Sequence, residues 1–150
     1  MVGLPVKRPA AGRFLRNLGG VIAGLVVGVV VIAVVEFISA KVYPLPAGID
    51  PADTEAFRLH VAQLPPGAFL FVLAAWGAGS LLGSWTATRI GAARGPARGA
   101  TVGAVLLAAG IANMLMLPHP AWFWVAAIVI TVSCTFLGAR MAAGDNPQRG

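Results

Sequence analysis

The stretch LGGVIAGLVVGVVVIAVVEFISAKVY, residues 18–43, decides the fold. It holds one acid, Glu36, and one base, Lys41, among residues that are otherwise almost all apolar or small. At about 1.5 Å per residue, a helix of this length outspans the roughly 30 Å of hydrocarbon in a bilayer. A helix apolar on every side has no face to turn to water, so it is either buried all round or surrounded by lipid. The rest of the chain chooses between these. Of 150 residues, 58% are hydrophobic and only 11% charged, with a mean hydropathy of +0.84. A soluble domain carries about a quarter charged residues. This chain has too little polar surface to coat a water-soluble globule, so lipid is the expected surrounding.

Three further apolar stretches follow, at 67–89, 97–117 and 121–141, each near the ~20 residues that cross a membrane. Pro44, Pro65, Pro66, Pro118 and Pro120 punctuate one set of ends. The turn-rich RIGAARGPARG, residues 89–99, separates the second stretch from the third. The expected fold is all-α, an integral membrane four-helix bundle occupying residues 17–142. Basic cytoplasmic tails are expected at 1–16 and 143–150. The first stretch is read as a retained helix: its apolar run exceeds a signal-peptide core, and Ile38-Ser39-Ala40 is only a fair cleavage site.

Charge sets the expected orientation. Lys7, Arg8, Arg13 and Arg16 precede the first stretch, Arg89, Arg94 and Arg98 lie around the second connection, and Arg140 and Arg149 close the chain. That places nine of the eleven basic residues on one side. The positive-inside rule then puts both termini in the cytoplasm, with the protein in a bacterial inner membrane. The net charge of +6 is read as a topology signal, with membrane lipids as partner and nucleic acid excluded. Trp122, Trp124 and Tyr43 fall at the outer boundary and Trp85 at the inner one, as interfacial aromatics do.

The first outer connection, IDPADTEAFRLHVAQLPP, reads as a short amphipathic helix. Asp50 is the expected N-cap and Pro51 the first helical residue. Phe57, Val61 and Leu64 share a face bordered by His60. A faint parallel repeat links the two halves, with PGAFLF at Pro66 echoing PAWFWV at Pro120.

Two signals stand out within the spans. One is small-xxx-small spacing: Gly20, Gly24 and Gly28 in the first, Gly79 and Gly83 in the second, Gly99 and Gly103 in the third. Lipid gives helices no hydrophobic reason to associate, so close backbone approach must hold them. These glycines are expected at helix contacts, within one chain or between copies in a homo-oligomer. The other signal is Glu36, seven residues below Tyr43 and hence roughly 10 Å inside the outer end. A charge placed there costs about 3 kcal/mol or more. Ser39 at i+3 and Asn113, at a matching depth in the third span, are the candidate partners. His60 and His119 lie at the same outer end, so a polar site built from Glu36, Asn113, Ser39, His60 and His119 is the working expectation. Glu36 either clamps two helices or binds a proton or cation for transport; both readings stay open here.

No metal or cofactor is expected. Glu36, His60 and His119 could form a two-histidine, one-carboxylate set, but HxxxH and ExxH motifs are missing and the spans hold no second acid. Cys134 is the one cysteine and rules out an intrachain disulfide. No nucleophile–base pair, phosphate-binding loop or cysteine pair is evident, which argues against a hydrolase, kinase or redox enzyme and leaves an intramembrane enzyme as a third reading.

The runs VYPLPAG, DPAD, FLFVLAAWGAGS and GIANMLMLPHPAWFW, together with Glu36, resemble small four-span bacterial membrane proteins without an assigned activity. The resemblance spans most of residues 20–140 and implies a fold but no chemistry. Small multidrug-resistance exporters also have four short spans and a glutamate in the first. They differ in lacking the long outer loop and in the aromatic cluster around their glutamate. Fluoride channels share the size, but their Asn and Phe pattern is absent. The expected role is therefore a structural or accessory membrane protein that binds lipid or a partner. A small transporter or channel using Glu36 is the alternative.

Overall fold

The computed structural model describes residues 10–50, 52–92 and 95–144. The chain forms five helices: α1 (Ala10–Val42), α2 (Thr54–Ala62), α3 (Pro66–Ile90), α4 (Ala97–Met116) and α5 (Ala121–Gly144). No strand occurs among the described residues, and α1, α3, α4 and α5 are each long and apolar enough to cross a membrane. Lys7, Arg8, Pro51, Arg94 and Arg149, and the tail segments 1–9 and 145–150, lie outside the described residues.

α1 starts at Ala10 rather than at the edge of the apolar run. No proline interrupts residues 10–43, so the helix extends through Arg13 and Arg16, which stand on its first turns and not in a loose tail. It stops just before Pro44, because a residue preceding proline is pushed out of the helical region. The Tyr43 N–H still closes on the Ser39 carbonyl at 2.8 Å. In the connection that follows, Gly48 takes a φ of +100°, which only glycine adopts without steric cost.

The cap of α2 differs from the sequence expectation. Asp53, not Asp50, is the N-cap, accepting hydrogen bonds from the Glu55 and Ala56 N–H groups, each at 3.1 Å. Asp50 is engaged one turn earlier, its carboxylate accepting from the Ala52 N–H at 2.8 Å. Both aspartates suit a cap; local hydrogen bonding assigns Asp50 to the turn. Val61 is buried against the bundle, with Phe57 and Leu64 half-buried beside it. The short helix therefore rests on one end of the bundle through that face. Pro66 opens α3 at its first turn, where a missing N–H costs nothing.

α3 is the centre of the bundle. It packs against α1 most extensively, then α5 and α4. The α1–α3 contact is glycine on glycine. A Cβ on Gly24 would meet the Gly83 carbonyl oxygen at 2.5 Å and the Ala87 methyl at 2.8 Å. One on Gly28 would meet the Gly79 carbonyl at 3.1 Å, and one on Gly20 the Ala87 carbonyl at 3.0 Å. At Gly24 a side chain would force the backbones apart, and at Gly20 and Gly28 it would fit only if the neighbour gave way by a few tenths of an ångström. α4 uses the same device against hydroxyl side chains: Gly99 lies against Ser84 and Thr88, and Gly103 against Thr135. The Ser84 hydroxyl donates to the Thr135 carbonyl at 2.7 Å and links α3 to α5.

The two ends of the bundle are built differently. Towards the end that carries α2, Phe69, Trp76, Met114, Phe123 and Ala127 form an apolar core. Phe123 is fully buried there, its ring 5.6 Å from Phe69 and 5.7 Å from Trp76. At the opposite end, polar contacts fasten the α3–α4 connection to α1. Asn17 Oδ1 accepts from the Ala92 N–H at 3.0 Å and from Arg98 Nη1 at 3.1 Å, and Arg16 Nε donates to the Ile90 carbonyl at 2.9 Å.

Candidate functional site

α1 and α4 both lean on α3 but touch each other only lightly, and a cleft opens between them. Their register follows from the glycine contacts. Val102 packs against Gly24 and Leu106 against Gly28. Two further helical turns bring Glu36 on α1 and Asn113 on α4 to one level. The cleft has a volume of about 190 Å³. Val29 and Ile32 form one wall, Leu106, Ala109, Gly110 and Asn113 the other, and Trp76 and Ser80 of α3 the floor.

Trp76 reaches this floor because Gly110 makes room for it. A Cβ there would meet the Trp76 ring at 2.8 Å. The ring is buried, and the indole lies near the Glu36 carboxylate. Glu36 lies one turn beyond Ile32 and is exposed on the flank of the molecule, as is Asn113. Ser80 is 1% exposed, and its hydroxyl has no hydrogen-bond partner among the described residues.

The structure divides the set of polar residues proposed from the sequence. Glu36 and Asn113 share the cleft level. Ser39, half-buried on α1, His60 and His119 line no part of it. Among the described residues, neither Ser39 nor Asn113 is hydrogen-bonded to Glu36; the Trp76 side chain lies near the carboxylate. His119 belongs to the aromatic end of the bundle, stacked 4.7 Å from Phe123 and edge-on to Phe69, with its Nδ1 2.9 Å from the Leu117 carbonyl. No group of three or more His, Cys, Asp or Glu side chains is placed to hold a metal among the described residues. Lys41 is turned to the Phe37 ring, 5.1 Å from its centroid.

Two site residues escape a sequence reading. Trp76 and Ser80 line the cleft but are not among the polar residues that the sequence brings together. The usable signal is their i, i+4 spacing on α3, which puts them on one face. That this face looks between α1 and α4 depends on tertiary packing, which the spacing does not encode. No protein-family model, curated protein or solved structure matches the chain, so the site stands on its geometry alone.

Proposed function

We propose that the chain is a four-span integral protein of the inner, cytoplasmic membrane with both termini in the cytoplasm. In this reading it is an accessory protein that binds a lipid or a partner membrane protein at its α1–α4 flank. One observation carries the proposal: Glu36 stands exposed on the side of the most apolar helix, one turn beyond a cleft. A carboxylate on a hydrocarbon-facing surface is costly and marks a functional site by default. The basic side chains Arg13, Arg16, Arg89, Arg98 and Arg140 support the orientation and suit anionic headgroups. A homo-oligomer would form through small-residue contacts, since an apolar surface alone does not drive helices together in lipid.

Transport through Glu36 is the second reading, favoured by Asn113 and Ser80 in the cleft lining with Glu36 one turn beyond Ile32. Against it stands the packing beneath. At Gly24 the α1 and α3 backbones meet, and Val102 of α4 closes on the same point at 3.1 Å from a notional Cβ. The α1–α3–α4 junction is therefore closed at Gly24, next to the cleft. Proton and alkali-cation flux into proteoliposomes, wild type against Glu36→Gln, decides between them. The accessory reading predicts flux at the protein-free background for both. Flux above background that Glu36→Gln abolishes would replace it with transport.

A further inference from the structure

We infer that the α1–α4 cleft binds a protonated primary amine carried on an apolar body. The inference rests on reading this flank as a binding site and names the ligand chemistry. An ammonium group has three donors and no acceptor. Two acceptors stand at one level, the Glu36 carboxylate one turn beyond Ile32 and the Asn113 amide oxygen in the cleft wall, and the Ser80 hydroxyl lies deeper in the cleft, next to the Gly79 that meets Gly28. Ser80 is 1% exposed, lines the cleft and has no partner among the described residues, a condition it shares with the buried hydroxyls of Thr88, Thr131 and Thr135. A buried hydroxyl of this kind ordinarily has a partner.

Charge narrows the ligand further. Glu36 is the ionisable group at this level, and the Lys41 ammonium on the same helix is turned to the Phe37 ring. An anion would meet a carboxylate, and a neutral alcohol would leave the carboxylate without a counter-charge. A metal ion finds no set of three such ligands here. The Trp76 ring on the floor adds an aromatic surface of the kind that attracts cations. Val29, Ile32 and Leu106 give the walls an apolar character suited to the first methylenes of the ligand. With about 190 Å³, the cleft holds a headgroup-sized cation and falls short of the roughly 300 Å³ at which drug-sized pockets begin.

The test uses the full chain in nanodiscs of phosphatidylcholine and phosphatidylglycerol, titrated with radiolabelled octylamine. Protein-free nanodiscs give the partition background, and octanol is the neutral competitor. Saturable binding of about one equivalent per chain is expected, without competition from octanol. Glu36→Gln should weaken it about tenfold or more, as loss of a charge-assisted contact does. Asn113→Ala should weaken it several-fold. Both positions are exposed, so either variant keeps the test open if the other fails to fold, with circular dichroism and gel filtration as the check. Replacing phosphatidylcholine by phosphatidylethanolamine separates two sources of the amine: a weakened octylamine isotherm indicates a lipid headgroup, an unchanged one a free amine. Absence of saturable binding, or an isotherm indifferent to Glu36→Gln, overturns the inference. Background flux with no amine binding would remove the ligand and leave the accessory reading standing, whereas Glu36-dependent flux would remove that reading itself.

Discussion

α1 and α3 are the most and the least apolar of the four long helices, and their burial runs the opposite way. Only 11% of α1's apolar window is buried, against 56% for α3. The three residues α1 buries are Gly20, Gly24 and Gly28. α3 buries Phe69, Leu73 and Trp76 together with a run of alanines, glycines, serines and a threonine. In water this order would be unfavourable, since the greasiest helix would be the most exposed. In lipid it is natural, because Val and Leu are solvated by acyl chains and small residues permit close packing. Apolarity then marks the outer surface, and smallness marks the contact.

This contrast predicts unequal costs for the same truncation. Phe123 is fully buried among Phe69, Trp76 and His119, whereas Phe37 on α1 is 64% exposed. Phe123→Ala should destabilise by about 3 kcal/mol, the low end for aqueous cores, because the unfolded chain keeps its ring in lipid. Phe37→Ala should change stability by less than about 0.5 kcal/mol. Steric trapping in bicelles measures both, and equal losses would erase the distinction between the two helices.

A smaller effect is expected from enlarging a residue. Gly24→Leu pushes a side chain into the α3 backbone and should cost about 1–3 kcal/mol. Gly19→Leu, on a helix face with nothing within 4 Å of its notional Cβ, should be close to neutral. The same unfolding assay reads this pair. If the two variants behave alike, the glycine stripe does not hold α1 to α3.

The long helices were legible in the sequence because length and apolarity alone define them, and the observed bounds of α3, α4 and α5 lie close to the apolar runs. The small-residue series was legible for the same reason: the i, i+4 spacing of Gly20, Gly24 and Gly28 fixes a face before any partner is known. The N-cap of α2 was not. Asp50 and Asp53 are chemically equal candidates, and the choice between them rests on a turn hydrogen bond at Ala52. The site was half legible. Depth counting put Glu36 and Asn113 at one level, but it said nothing about azimuth. Trp76 enters the cleft because Gly110 of another helix yields space, and His119 leaves the set because Phe69 and Phe123 hold its ring.

The account depends most on what touches the exposed side of α1. Spin labels at Ile22, Val26 and Val30, placed one at a time after Cys134→Ser, report this directly in proteoliposomes through relaxation by dissolved oxygen and by a water-soluble nickel chelate. The account predicts strong oxygen and weak nickel relaxation at all three positions. Strong nickel relaxation there would mean that water, not lipid, bathes α1, and would contradict the membrane-spanning fold.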